Sequence, residues 1–320
     1  VNLLGKTSSS AIIVQQKIIF DTDLSLGEPN KDVDDGLALI MTLNSPEIHI
    51  VAIFAVFGNT SLKKAEKNIH DLLNLYSIET FYPEIITGAT DRSDWEKKKV
   101  SSGITRMAHI IQENPSEISI VAIGPLTNIA LLFYKYPETM SLVKNLIIMG
   151  GSINKWEFNF ANDPNATEYV LHLPIPTFIC GYEVCCAQKF TRDHYRQLQE
   201  KSTLRSRYLT HEIYSWFKLN WKNPQKLHLG RGFYPFDPTA IAYLLKPELF
   251  QGILIPATHD TVPSDFQGAT RFKFALKTRV DRVQWAQRKV LTPQEKQTWV
   301  HWALKIDSQK YMKLLLSRLY

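Results

Sequence analysis

Cysteine is scarce. The 320-residue chain has three, Cys180, Cys185 and Cys186, all within seven residues. Such a cluster cannot staple a fold, and without a CxxC pair it is no zinc site. Reduced, partly buried thiols are expected, the common state of free cysteine. Long apolar runs are missing too. None approaches the roughly 18 residues of a membrane span, so no membrane partner is expected. Residues 11–20 (AIIVQQKIIF) are interrupted by Gln15, Gln16 and Lys17 and read as a strand, not a signal core. A dominant charge sign is also absent. The net charge of +6, from 37 basic and 31 acidic residues, favours anions only weakly. It is no nucleic-acid signature, and no nucleic-acid partner is expected. Repeats, linkers and low-complexity tracts are absent as well. An N-terminal extension over residues 1–16 and one catalytic domain over 17–320 are expected. A cytoplasmic location is expected, with export left open because the chain starts at Val1.

Hydrophobic residues, by contrast, make up 44% of the chain against 21% charged, enough for a sizeable core. They occur in short, near-continuous runs: KIIF (17–20), IHIVAIFAV (48–56), ISIVAI (118–123), LIIM (146–149) and TFIC (177–180). Runs of that kind suit strands covered on both faces. Helical patterns at 36–43 and 62–76 lie between them, so strand and helix alternate. The expected fold is α/β: one open, mostly parallel, Rossmann-like sheet with helices on both faces. Asp21, Asp23, Asn59, Thr127 and Asn159 all fall at or just after strand ends. Ligands of open α/β sheets bind at those ends, so these residues converge on one mouth.

Two later segments read differently. Residues 271–279 (RFKFALKTR) alternate apolar with basic, as an amphipathic edge strand does. Residues 292–320 read as helix, short strand, helix. The first helix opens on Thr292, Pro293 and Glu295, and the second is capped by Asp307.

The densest chemistry lies at FDTDLSLGEPNKDVDDGLAL. Asp21, Asp23, Asp32, Asp34 and Asp35 occur within fifteen residues, between a strand end and a helix start. Carboxylates packed that closely repel one another, and a hard divalent cation relieves the repulsion. The plainer reading is a solvated acidic loop with Asp32 or Asp34 capping the helix. A strand ending in DxD also opens the Mg²⁺-dependent haloacid-dehalogenase-like phosphotransferases. Their second acidic pair lies far downstream, whereas here it follows within about a dozen residues.

The chain resembles the inosine-uridine-preferring nucleoside hydrolase family more closely. DTD…DVDDGLAL is similar to that family's N-terminal signature. Phe57-Gly58-Asn59-Thr60 resembles its VGN step, and residues 124–130 (GPLTNIA) match its GPLTNIA segment. Residues 147–151 (IIMGG), Glu157-Phe158-Asn159 with Asp163-Pro164-Asn165-Ala166, and residues 237–242 (DPTAIA) resemble further family segments in the same order. The resemblance spans about Lys17 to Leu319.

It implies calcium-dependent hydrolysis of the N-glycosidic bond of a ribonucleoside or related N-ribosyl compound. Asp23, Asp35 and Asp237 would ligate Ca²⁺ through carboxylates and Thr127 through its main-chain oxygen. Asp23 would be general base on a metal-bound water, with Asn59 beside that water and the sugar. Asp34 and Asn159 would hold ribose hydroxyls, Glu157 would sit near the 5′ end, and Asp21 would position the cluster. An oxocarbenium-like transition state suits such a carboxylate-rich pocket. Dimers or tetramers are a family expectation. Taken singly, Asn59 is also a plausible turn residue, Thr127-Asn128 a helix cap and Asp237-Pro238 a helix entry.

Three departures stand out. Residues 24–31 (LSLGEPNK) lengthen the aspartate loop. Phe236 stands directly before Asp237, where many purine-cleaving relatives carry a His able to protonate the leaving base. Phe can only stack on a base. His211, Tyr214, Trp216 and His228 lie just upstream as candidates for the mouth. The segment before Glu157 is short, with Asn154 the candidate for the 5′-hydroxyl. These departures keep a non-catalytic ribosyl-binding protein on the same fold in view.

Overall fold

The structure is a computed structural model, and it describes residues 15–76, 82–153, 157–222, 232–256 and 299–320. Asn154, His228, the 271–279 strand and the helix opening at Thr292 lie outside the described residues.

One eight-stranded sheet organises the chain. Its strands are β1 (Gln16–Thr22), β2 (Ile48–Ala55), β3 (Glu84–Thr87), β4 (Ser119–Ala122), β5 (Asn145–Met149), β6 (Thr177–Cys180), β9 (Phe250–Pro256) and β10 (Trp299–Ile306). A separate two-stranded ribbon pairs β7 (Phe190–Thr191) with β8 (Gly232–Phe233). The large sheet runs β3-β2-β1-β4-β5-β6-β10-β9. All its pairs are parallel except β9 with β10. The mostly parallel sheet expected from the sequence is therefore present, with one antiparallel edge.

The apolar runs are continuous because both faces of the strands are covered. In β1, Ile18 and Phe20 enter one core while Ile19 enters the other. The first core takes α1 (Asp34–Leu43), α2 (Leu62–Tyr76), α11 (Pro238–Leu245) and α12 (Ser308–Ser317). The second takes α4 (Ser102–Glu113), α5 (Thr127–Lys135) and α7 (Pro164–Leu171). Burying one Ile or Leu side chain contributes about 1.5–3 kcal/mol, so the fully buried Ile18, Ile19 and Phe20 anchor β1 firmly. The chain turns to opposite sides of β1 to form β2 and β4. That reversal opens a crevice beyond the C-terminal end of β1, where Asp21 to Asp23 lie.

The lengthened aspartate loop is packed into the body. Leu24 and Leu26 are buried, and Asn68 donates to the Leu24 carbonyl at 3.0 Å. A Cβ at Gly36 would sit 2.4 Å from Leu26 Cδ2, so Gly36 makes room for the loop. Glu28 ties its tip to Lys64 at 2.7 Å. Among the described residues no helix is long and apolar enough to cross a membrane. All three cysteines are free, Cys180 and Cys185 buried and Cys186 half-buried, as expected.

Candidate active site

The strand ends place the acids. Asp21 is the penultimate residue of β1, and Asp23 follows the strand directly. Both are fully buried. Asp21 Oδ2 accepts from Asn128 Nδ2 at 2.7 Å, and its Oδ1 has no partner. Asp23 Oδ2 accepts from the Asn59 main-chain N–H at 2.6 Å, and its Oδ1 also has none. A Cβ at Gly58 would lie 2.1 Å from Asp23 Oδ2 and one at Gly124 3.2 Å from Oδ1. Glycine at both positions is what lets the main chain close around this carboxylate. Burial pushes Asp21 up to about 7 despite the bond from Asn128. Burial also pushes Asp23 up to about 7, opposed by the Asn59 N–H, with Asp34 and Asp21 adding repulsion.

α1 begins on Asp34 and Asp35, both buried. Asp35 accepts from the Ser25 N–H at 2.5 Å, the Ser25 hydroxyl at 3.0 Å and the Gly36 N–H at 2.6 Å. The Asn59 side chain reaches it at 3.5 Å, so Asn59 spans Asp23 and Asp35. Asp34 accepts from the main-chain N–H groups of Phe236 at 3.0 Å and Asp237 at 3.4 Å. One aspartate of the N-terminal loop thereby docks a segment two hundred residues later. Asp237 is 3% exposed and occupies the N-cap position of α11, yet its side chain makes no cap bond. Val33, with no side-chain cap, precedes α1. Asp237-Pro238 is the helix entry read from the sequence, but neither Asp34 nor Asp237 caps a helix with its side chain. Burial holds Asp35 and Asp237 well above the usual carboxylate range, and for both Asp34 and Asp23 are among the repelling charges.

The donor set is all oxygen and buried, and the Asp23 Oδ1 within it is unpartnered, as is Oδ1 of the neighbouring Asp21. A hard divalent cation suits those properties. Among the described residues, however, no three His, Cys, Asp or Glu side chains stand close enough to hold a metal ion by themselves. The chemistry of the donors fits, but Asp23, Asp35 and Asp237 would have to draw closer together to share one ion.

The remaining predicted residues divide. Thr127 opens α5 fully buried, and its hydroxyl donates to Asp163 Oδ2 at 2.6 Å. Asn128 does not cap that helix, because its side chain bridges Asp21, the Ala89 N–H and the Ala55 carbonyl. Glu157 accepts from the N–H groups of Gly151 at 2.7 Å, Asn159 at 2.9 Å and Phe160 at 3.0 Å. It thus caps α6 (Phe158–Asn162) and pins the turn after β5. Asn159 donates to the carbonyls of Ile123 at 2.9 Å and Met149 at 3.2 Å, so its amide nitrogen is engaged.

At the base of α11 the half-buried Phe236 ring lies 5.7 Å from Tyr182 and 6.2 Å, edge-on, from Tyr234. Tyr182 starts α8 (Tyr182–Cys185), immediately beyond β6. Of the upstream candidates, His211 has a 76% exposed side chain and pairs with Glu212, Tyr214 is 55% exposed, and Trp216 is buried. Sequence reading missed Ser25, Asn128, Asp163 and Tyr182. Asn128 and Asp163 stood inside quoted motifs. Ser25 and Tyr182 carried no local signal.

Known proteins share this fold and sequence pattern. The sequence model of the inosine-uridine preferring nucleoside hydrolases matches residues 18–313. The non-specific ribonucleoside hydrolase RihC of Escherichia coli O127:H6 is 27% identical over 259 residues, 73% of this chain and 80% of its own length. A plant nucleoside hydrolase, PpNRh1, superposes with a TM-score of 0.75 at 21% identity, covering 95% of this chain and 98% of its own. A purine-preferring ribonucleoside hydrolase from Gardnerella vaginalis does so with a TM-score of 0.73 at 21% identity, covering 95% and 98%. The two structures speak for the fold, and the sequence match for descent. The chain belongs to the inosine-uridine preferring nucleoside hydrolase family and is a hydrolase of N-glycosyl compounds.

Proposed function

We propose that this protein hydrolyses the N-glycosidic bond of a ribonucleoside, giving ribose and free base, and that it does so with bound Ca²⁺. Asp23, Asp35 and Asp237 would hold the ion through carboxylates and Thr127 through its main-chain oxygen. When bound, such an ion would orient and polarise a water for attack. The carrying observation is Asp23, fully buried at the switch point of the sheet with one oxygen engaged by Asn59 and the other unpartnered. Its free Oδ1 suits it to take the proton of the attacking water.

The other side chains position and stabilise. Asn59 fixes Asp23 from the main chain and Asp35 from the side chain. Asp34 and the carbonyl oxygen of Asn159 are the groups suited to ribose hydroxyls. Glu157 supports the 5′ end mainly by shaping the turn at Gly151. Buried negative charge around the sugar favours the positive charge that develops on the ring oxygen and anomeric carbon. Family membership argues against the phosphotransferase, and the intact acids argue against a binding-only protein.

The test is ribose release from a nucleoside panel, with and without chelator. Chelator-sensitive release that Asp23→Ala lowers by about 10²–10⁴-fold is expected for loss of a general base. Turnover unaffected by either change would refute the proposal.

A further inference from the structure

Breaking an N-glycosidic bond leaves an electron pair on the base nitrogen, and that charge needs stabilising. Phe236, beside which the nucleoside-hydrolase reading puts the base, has no proton or charge to offer. Of the described histidines near this end, His194 Nδ1 is held by the Thr191 N–H at 3.1 Å in a helix cap, and His211 is exposed.

A cation stands one ring beyond Phe236, against Tyr234. The antiparallel ribbon pairs Phe190 with Phe233 and Thr191 with Gly232. That register sets Lys189, just before β7, opposite Tyr234, just after β8. Lys189 Nζ lies 5.0 Å from the centre of the Tyr234 ring, at cation–π range. Its stem runs over Gly232, where a Cβ would come 2.9 Å from Lys189 Cγ. The Phe190 and Phe233 rings stack 5.0 Å apart across the same ribbon. From Tyr234 the path is short: its ring meets Phe236 edge-on at 6.2 Å, and the Phe236 N–H is bonded to Asp34. The ribbon thus ties a positive charge to the same segment that docks on the ribose-holding aspartate.

We propose that Lys189 is an electrostatic positioning residue for the leaving base, stabilising the negative charge that builds on it as the bond breaks. The inference rests on the nucleoside-hydrolase reading above. The C1′–N bond breaks with its electron pair passing to the base nitrogen. Water oxygen bonds to C1′ while its proton passes to Asp23, and the departed base takes a proton from solvent. Lys189 transfers none.

The test compares inosine and uridine, which have poor leaving groups, with 4-nitrophenyl riboside, whose phenolate leaves unaided. Lys189→Met keeps the apolar stem and removes the charge; Lys189→Gln is a second neutral variant. We expect either to lower kcat/KM on the nucleosides by about 10–100-fold, below the loss typical of an oxyanion-hole donor. Turnover of the nitrophenyl riboside should stay near native, and Lys189→Arg should restore most nucleoside turnover. Equal losses on both substrate types, or no loss on either, overturn the inference while leaving the hydrolase reading intact. Native protein that cleaves neither type overturns both.

Discussion

The two ends of the site are built on opposite principles. The end proposed to hold the sugar is polar, largely buried and assembled from the tips of β1 and β4 and the starts of α1 and α11. The end proposed to face the base is aromatic, half-buried and hung on a two-stranded ribbon outside the main sheet. Every acid at the sugar end except Asp237 has a defined partner: Asn128 for Asp21, Asn59 for Asp23, Phe236 for Asp34 and Ser25 for Asp35. At the base end the contacts are ring against ring, with centres 5.0 to 6.2 Å apart. Hydrogen bonds to buried carboxylates demand one geometry, whereas ring packing admits substitution. On the proposed reading, the chemistry at the sugar is held fixed, and the choice of base is left to residues that can vary.

This contrast can be broken at the sugar end with the largest effect. Among the described residues, Asn128→Ala removes the one side-chain bond to Asp21, leaving that buried carboxylate without a side-chain partner. Activity should fall about 10–100-fold, the usual cost of losing support behind a metal site, with little change in the rank order of substrates. A change in base preference instead would show that the two ends are not separate.

Glu157 separates structure from recognition. Its carboxylate accepts three main-chain N–H groups, so Glu157→Ala should lower unfolding free energy by about 1–3 kcal/mol, measured by urea denaturation. Unchanged stability with lost ribose binding would return Glu157 to a direct role at the sugar. The smallest effect belongs to the base end. Tyr182→Ala removes one ring from beside Phe236. An aromatic contact contributes about 0.5–1.5 kcal/mol, so KM should rise several-fold at most, and kcat should hold. A collapse of kcat would show that Tyr182 does more than bind.

The sequence made the sugar end legible and the base end nearly invisible. The apolar runs located β1, β2, β4, β5 and β6 because both faces of each are covered, and the acids followed directly from the strand ends. Strands β3, β7 and β8 have two to four residues, too few for a period to emerge, and β9 lies at the edge. Tyr182 and Lys189 reach the site only through sheet order and ribbon register, which no local pattern encodes. Ser25 was hidden in a loop insertion that reads as surface, yet that loop buries Leu24 and Leu26 and holds Asp35. Glu157 and Asn159 were legible as residues, but their commitment to main-chain partners was not.

The crowded acids also set a pH dependence. Asp21 and Asp23 stand near 7 in the folded protein, against an ordinary 3.8. Between those values the folded state binds more protons than the unfolded one. Stability without metal therefore falls as pH rises from about 4 to about 7. Above that window the carboxylates are charged and repel one another, and a divalent cation has most to gain.

Calcium titration of chelator-treated protein at pH 8, followed by thermal unfolding, tests the central claim most directly. Native protein should gain stability with calcium, reaching about 2.7 kcal/mol at a hundredfold excess over Kd. Asp237→Ala, which removes a carboxylate that caps nothing, should lose most of that gain. An equal rise in Tm for both proteins, or none for either, would contradict a calcium site built from Asp23, Asp35 and Asp237.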